Sequence, residues 1–234
     1  MIQDIILISR FFTPRWILVI FSSVIILLPI ISAITNRKAL SNSLRIISFY
    51  LFGSLFFEIL CWAIILLPFS NHQNHWAVNT FNIFEFICLS YYFLSRITNF
   101  RLKQLIKCIT VLSFFLIIIF TVINIQDINR YDNLTHSIVY ITLIFFTLLN
   151  FYEILYSDET LVLSNYAYFW IASGILIYFS GAFFVNLFGD VILFSVHLKD
   201  YWIIYYILLI IFRIILAIGL WFSKTPPQLS PSSK

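Results

Sequence analysis

Long apolar runs separated by short polar segments dominate the pattern of this chain. Seven runs are long enough to cross a membrane: 15–35, 46–68, 76–95, 104–124, 135–157, 166–188 and 202–223. A transmembrane helix needs about 20 such residues, and these continuous runs lack the alternation of a transmembrane barrel. We therefore predict an all-α polytopic membrane protein, a single bundle of seven transmembrane helices. The runs are numbered spans 1 to 7.

The chain outside the spans is short. We expect residues 1–14 to form an N-terminal interfacial segment and residues 15–224 to form the transmembrane domain. Residues 225–234 combine prolines with serines and are expected to form a disordered cytoplasmic tail. Pro29 lies inside span 1 and is predicted to kink that helix, because proline lacks an N–H and its ring clashes with the preceding turn.

Composition indicates that lipid surrounds most of the chain. Of 234 residues, 62% are hydrophobic and 10% are charged, whereas soluble domains contain about 25% charged residues. The net charge of +4 comes from bases in short loops between the spans. This distribution sets membrane orientation and is not a nucleic-acid-binding pattern, so the predicted partners include the lipid bilayer and exclude nucleic acid.

Lysine and arginine residues in the loops predict the orientation. Arg37 and Lys38 follow span 1, and Arg96 and Arg101 follow span 3, whereas the loop after span 2 contains no lysine or arginine. Short cytoplasmic loops of membrane proteins carry an excess of these bases. We therefore expect the N-terminus outside and the C-terminus in the cytoplasm.

Polar side chains at helical spacing predict which spans surround the interior. Residues three and four apart share a helix face, and Tyr50, Ser54 and Glu58 form such a stripe in span 2. Comparable stripes occur in spans 3, 5, 6 and 7. We expect these five spans to line a shared interior, and spans 1 and 4 to be more exposed to lipid.

Three ionisable side chains lie near the middle of spans 2, 3 and 7: Glu58, Glu85 and Arg213. Inserting one charge at this depth costs roughly 2.5–3.5 kcal/mol on insertion scales, so such groups usually pair. An arginine can bridge two carboxylates through its fork of donors. We predict that the three groups meet, either as a structural network or as a site for a ligand or protons.

Four further polar residues complete the candidate site. Asn79 and Asn82 precede Glu85 in span 3, Tyr206 lies two turns before Arg213 in span 7, and Tyr140 belongs to the stripe of span 5. Amide and hydroxyl groups hydrogen-bond between membrane helices as well as to ligands. The spacing alone leaves both roles open.

The four histidines are candidate metal ligands by residue type: His72, His75, His136 and His197. All four fall on the predicted outer side. A zinc site needs about four ligands in fixed geometry, and the chain contains neither an HExxH nor an HxxxH motif.

Motifs for catalysis or cofactor binding are absent from the sequence. It contains no GxxxxGK[ST], no GxGxxG and no GxSxG motif. We predict no cofactor and no catalytic residue, and the sequence favours a protein that is not an enzyme.

Two runs carry a resemblance to a group of known proteins: Asn79–Tyr92 and Phe169–Gly181. In these runs the chain resembles uncharacterised small seven-helix bacterial membrane proteins of the sensor or receptor type. The resemblance implies a multi-pass component of signalling in the plasma (inner) membrane, with no catalytic residues.

The leading hypothesis is therefore a non-enzymatic integral membrane sensor or receptor-like protein. A small ligand or protons would act on its polar intramembrane site from the outer side. A cytoplasmic or membrane signalling partner at the basic inner loops would read the change. The alternatives are a small proton- or cation-coupled transporter and a metal-dependent membrane hydrolase that uses the histidines.

Overall fold

A computed structural model of the chain describes residues 14–66, 74–123, 132–156, 165–187 and 202–224. These ranges contain seven helices long and apolar enough to span a membrane, α1 to α7, which correspond to spans 1 to 7. Their bounds are Pro14–Ile25 with Leu27–Thr35 (α1), Asn42–Leu66 (α2), His75–Arg96 (α3), Phe100–Ile123 (α4), Asn133–Leu155 (α5), Ala167–Leu187 (α6) and Trp202–Trp221 (α7). The predicted all-α seven-helix bundle is confirmed. The predicted interfacial segment, apart from Pro14, and the predicted tail lie outside the described residues.

Helices α2 and α4 begin four residues earlier than hydropathy predicts, because each has a first turn that contains polar residues. Ser41 Oγ accepts a hydrogen bond from the Leu44 N–H at 3.3 Å, and Asn99 Oδ1 accepts one from the Arg101 N–H at 3.0 Å. These bonds satisfy N–H groups that have no partner in the first turn of a helix. A hydropathy window misses such turns because they contain polar residues.

The first helix, α1, is interrupted at Ile26. Pro29 cannot donate a hydrogen bond to the Ile25 carbonyl, and its ring clashes with that carbonyl. The helix is thus interrupted one turn before the proline, in the region where the kink was predicted.

Six helices form a closed ring in the order α1, α2, α3, α5, α6 and α7, and α4 packs outside it against α5 and α3. In α4 only Ile106, Ser113 and Ile117 are buried. The expectation that span 4 is exposed to lipid is confirmed.

The expectation that span 1 is not among the spans that surround the interior is wrong, because α1 is a member of the ring. Ser32 Oγ donates a hydrogen bond to the Ala217 carbonyl at 3.0 Å, and Asn36 Nδ2 donates one to the Leu220 carbonyl at 2.9 Å. Both acceptors are backbone groups of α7. Because the acceptors are backbone carbonyls of α7, no polar side chain of α7 marks this contact in the sequence. The prediction from stripes of polar side chains therefore missed it.

Aromatic side chains fill the half of the ring between α5, α6 and α7. The rings of Tyr178 and Phe212 are stacked at 4.7 Å, and Tyr140 meets Phe179 edge-on at 4.9 Å. Offset-stacked and edge-on pairs are the favoured aromatic geometries. These rings occupy the interior of this half of the bundle.

Glycines allow α6 and α7 to approach closely. A Cβ atom at Gly181 would lie 2.7 Å from Leu208 Cδ1. A Cβ atom at Gly219 would lie 2.9 Å from Ile171 Cγ1 and 3.2 Å from the Ala167 carbonyl oxygen. Small residues at such contacts are typical of membrane helices, where close backbone approach drives association.

We predict that Gly219→Leu destabilises the bundle, because the new side chain has no room beside α6. Overpacking of this kind costs roughly 1–3 kcal/mol. Ala63→Leu is the matched control, since Ala63 is exposed on α2. The thermal unfolding midpoint of the purified protein in detergent should fall for Gly219→Leu and stay unchanged for the control. Equal midpoints for the two variants would contradict this account of the α6–α7 contact.

Candidate functional site

The other half of the ring encloses a cavity of about 540 Å³ between α1, α2, α3 and α7, which we call the polar cavity. It extends from Ile65 and Asn74, where α2 ends and α3 begins, to Glu85 and Tyr178 in the middle of the bundle. We call this end of the bundle the cavity end. Sites for small ligands usually measure about 300–1,000 Å³, so the polar cavity has the size of a ligand site.

An ion pair between α2 and α7 lies in the wall of the polar cavity. Arg213 Nη2 lies 2.7 Å from Glu58 Oε2, and Arg213 Nη1 lies 3.4 Å from Glu58 Oε1. The guanidinium therefore meets the carboxylate with two parallel bonds, the geometry that gives arginine its advantage over lysine. The side chain of Arg213 is 5% exposed and that of Glu58 is 17% exposed, so the pair is largely buried.

The same guanidinium also reaches α1. Arg213 Nη1 donates a hydrogen bond to the carbonyl oxygen of Ser22, which lies one turn before the break at Ile26. Arg213 thereby ties three helices together. The position of the first segment of α1 is thereby coupled to the ion pair.

Glu85 lies deeper in the polar cavity and has a different partner. The Tyr50 hydroxyl donates a hydrogen bond to Glu85 Oε1 at 2.6 Å, and Glu85 is 2% exposed. Within the described ranges, no lysine or arginine lies within 4 Å of the Glu85 carboxylate.

The expected three-way pairing of Glu58, Glu85 and Arg213 is therefore wrong in part. All three side chains line the polar cavity, but only Glu58 pairs with Arg213. Tyr50, the partner of Glu85, precedes Glu58 by eight residues on α2, which is about 12 Å along a helix axis. Counting residues from span ends gave the same depth for both carboxylates and could not show that Glu85 meets Tyr50 and not Arg213.

Aromatic residues make up much of the remaining wall. Trp62 Nε1 donates a hydrogen bond to Ser23 Oγ at 3.0 Å, and the rings of Trp62 and Trp16 are 6.2 Å apart. At the inner end the Tyr178 hydroxyl donates to the Tyr205 hydroxyl at 3.0 Å. Trp16, Tyr178 and Tyr205 were not among the site residues predicted from the sequence. For Trp16 the reason is that an aromatic residue near a span end has the same sequence signal whether it anchors in the interface or lines a cavity.

Asn79, Asn82 and Tyr140 do not line the polar cavity, although they were predicted to belong to the site. The cavity face of α3 carries Val78, Phe81 and Glu85, and Asn79 and Asn82 each lie about 100° further around the helix, as adjacent residues do. Asn82 is buried outside the cavity, and Tyr140 belongs to the aromatic half. Tyr206, by contrast, does line the cavity.

The histidines in the described part of the chain do not form a cluster that could bind a metal ion. His136 Nε2 lies 3.3 Å from Asn79 Oδ1, and His136 is buried between helices. In the described part of the chain, no group of three or more His, Cys, Asp or Glu side chains could hold a metal ion. His75 begins α3, and His72 and His197 lie outside the described residues.

The opposite end of the bundle, which we call the basic end, has a different character. Exposed bases there are Arg37, Lys38, Arg45, Arg101, Lys107 and Lys224. The Arg96 guanidinium lies 4.3 Å from the ring centre of Tyr168, and Glu153 Oε1 accepts a hydrogen bond from the Thr98 N–H at 2.7 Å. These contacts join α3, α5 and α6 at this end, far from the polar cavity.

Comparison of the chain with models of known protein families, with curated proteins and with solved structures gives no match. Any role for the polar cavity therefore follows from its own geometry and chemistry. The binding roles assigned to its residues from sequence stay predictions, as does the resemblance to sensor-type proteins.

We predict an energetic coupling between Glu58 and Arg213. Glu58→Gln and Arg213→Met should each destabilise the protein, because a single substitution leaves the other partner unpaired at a cost of roughly 1–3 kcal/mol or more. The double variant should lose less than the sum of the two, by at least about 0.5 kcal/mol. The measurement is the free energy of unfolding of the wild type, the two single variants and the double variant, from denaturant titration in mixed micelles.

The control cycle combines Arg213→Met with Glu153→Gln. Glu153 lies at the basic end and has no part in the ion pair, so these two effects should add. Additive behaviour in the Glu58 cycle as well would contradict the pairing.

Proposed function

We propose that the protein is a non-enzymatic, receptor-like integral membrane protein that binds a small ligand in the polar cavity. The observation that supports this best is a cavity of ligand size inside a transmembrane bundle, lined by an ion pair and a second carboxylate. Ionisable groups inside a membrane are costly and usually mark a functional site.

The ion pair is the element through which a ligand would act. Arg213 bonds to α2 through Glu58 and to α1 through the Ser22 carbonyl. A ligand that changes either bond alters the link between three helices, and the break at Ile26 allows the first segment of α1 to change angle independently of the second. A ligand shifts such an equilibrium only by its difference in affinity for the two states.

We further propose that the basic end faces the cytoplasm of a bacterial inner membrane. Six exposed bases at this end match the excess of lysine and arginine that cytoplasmic loops carry. The polar cavity would then extend towards the outside. A signalling partner at the basic end would read the movement of the helices.

A proton- or cation-coupled transporter is the second candidate. It is favoured by Glu85, a carboxylate in the middle of the membrane without a basic partner in the described ranges. Carboxylates in this position serve as proton or cation sites in carriers. A carrier would have to expose the polar cavity to both sides in turn.

Cys61 lines the polar cavity and provides a probe of its access. In a background with Cys88→Ser and Cys108→Ser, a membrane-impermeant maleimide should label Cys61 in intact cells. The reason is that the cavity extends to the end of the bundle that is proposed to face outwards. Labelling of inside-out vesicles should be much weaker.

Lys38→Cys, combined with Cys61→Ser in the same background, is the matched control. Lys38 is exposed at the basic end, so its replacement should be labelled only in inside-out vesicles. Labelling of Cys61 only from the cytoplasmic side would refute the proposed orientation. Equal labelling of Cys61 from both sides would favour the transporter.

A further inference from the structure

We propose that the polar cavity accepts a small organic cation, an amine or ammonium group carried on an apolar body, with Glu85 as its counter-charge. This inference rests on the proposed ligand-binding function and names the class of ligand. Three properties of the cavity support it: its charge balance, its aromatic walls and the bonds already made by Arg213.

The charges in the cavity wall do not balance. Two carboxylates, Glu58 and Glu85, face one guanidinium, Arg213, so the formal charge of the wall is one negative. Arg213 bonds to both oxygens of Glu58 and to the Ser22 carbonyl. The Glu85 carboxylate has only the Tyr50 hydroxyl as hydrogen-bond donor among the described residues. A cation at Glu85 would supply the missing opposite charge.

Aromatic rings line the cavity on several sides of that carboxylate. Tyr50 and Phe81 are stacked with ring centres 6.4 Å apart, and Tyr178 and Tyr205 are joined through their hydroxyls. All four residues line the polar cavity. Aromatic faces attract organic cations with about 0.5–2 kcal/mol each, and cages of this type recognise quaternary ammonium groups. The same rings accommodate an apolar body.

Other ligand classes fit the wall less well. An anion that bound Arg213 would have to break its ion pair with Glu58. The cavity would then hold the anion beside two carboxylates without a basic partner. A bare divalent cation such as Ca²⁺ needs about six to eight oxygen ligands. In the cavity, Glu58 is bonded to Arg213 and Glu85 to Tyr50, and many of the other lining residues are aromatic. The wall therefore offers few oxygen ligands to a metal ion. An organic cation satisfies both the charge and the aromatic surface.

The test compares three ligands with the same phenylethyl body and different head groups in binding to the full chain in nanodiscs. Radiolabelled trimethyl(2-phenylethyl)ammonium is the probe, and the competitors are unlabelled probe, its uncharged isostere 3,3-dimethylbutylbenzene, and 3-phenylpropionate. The ammonium ion should compete at least about tenfold better than either of the others, a difference of about 1.4 kcal/mol. Empty nanodiscs correct for partition into lipid.

Variants locate the binding site. Glu85→Gln should weaken binding of the ammonium ion at least about tenfold, whereas Glu153→Gln, the matched carboxylate at the basic end, should leave it unchanged. Phe81→Leu keeps an apolar side chain but removes a ring, and it should weaken the ammonium ion more than the neutral isostere. If Glu85→Gln does not fold, Phe81→Leu still tests whether the ammonium ion binds in the polar cavity.

The outcomes separate this inference from the proposed function. Stronger competition by 3-phenylpropionate would overturn the cation assignment and leave a ligand-binding cavity in place. Absence of binding by all three ligands, with Cys61 still labelled from outside, would also overturn the cation assignment alone. Absence of binding together with failure to label Cys61 from either side would overturn both proposals.

Discussion

The ion pair between Glu58 and Arg213 is the constraint on which the bundle depends. Lipid offers no water to solvate either charge, so each must find its partner inside the ring of helices. Arg213 satisfies this requirement with two bonds to Glu58 and one to the Ser22 carbonyl. These bonds hold α2, α7 and the first segment of α1 together. Removing one partner would leave the other charge uncompensated, which costs more than the pair contributes to stability.

The interior is divided into a packed half and a hollow half, and the division follows residue type. Between α5, α6 and α7, aromatic pairs such as Tyr178 with Phe212 occupy the space. Between α1, α2, α3 and α7, the ionic groups and the indole of Trp62 line a cavity of about 540 Å³. Glu85 lies where the two halves meet, bonded to Tyr50, and in the described ranges no lysine or arginine forms an ion pair with it. The proposals on ligand binding depend on that position.

Hydropathy was sufficient to predict seven helices, because spanning a bilayer requires long apolar runs whatever the tertiary structure. Helical spacing also placed Glu58 and Arg213 correctly in the interior. It also placed Asn82 in the interior, but Asn82 does not line the polar cavity. Spacing within one helix does not reveal whether a buried polar residue faces the cavity or a neighbouring helix. Helical spacing failed for α1, whose contacts with α7 use backbone carbonyls as acceptors. Trp16 was missed because a tryptophan near a span end has the same sequence signature in lipid and in a cavity wall.

The most direct test of the account is the distance between the Arg213 guanidinium and the Glu58 carboxylate in lipid. Solid-state NMR dipolar recoupling between ¹⁵N-labelled arginine and ¹³C-labelled glutamate carboxyl groups measures it in the reconstituted protein. Hydrogen-bonded ion pairs bring these nuclei within about 4 Å, so we expect strong dephasing of the Arg213 signal. The dephasing should disappear in Glu58→Gln and persist in Glu85→Gln. Dephasing that persists in Glu58→Gln but disappears in Glu85→Gln would contradict the account.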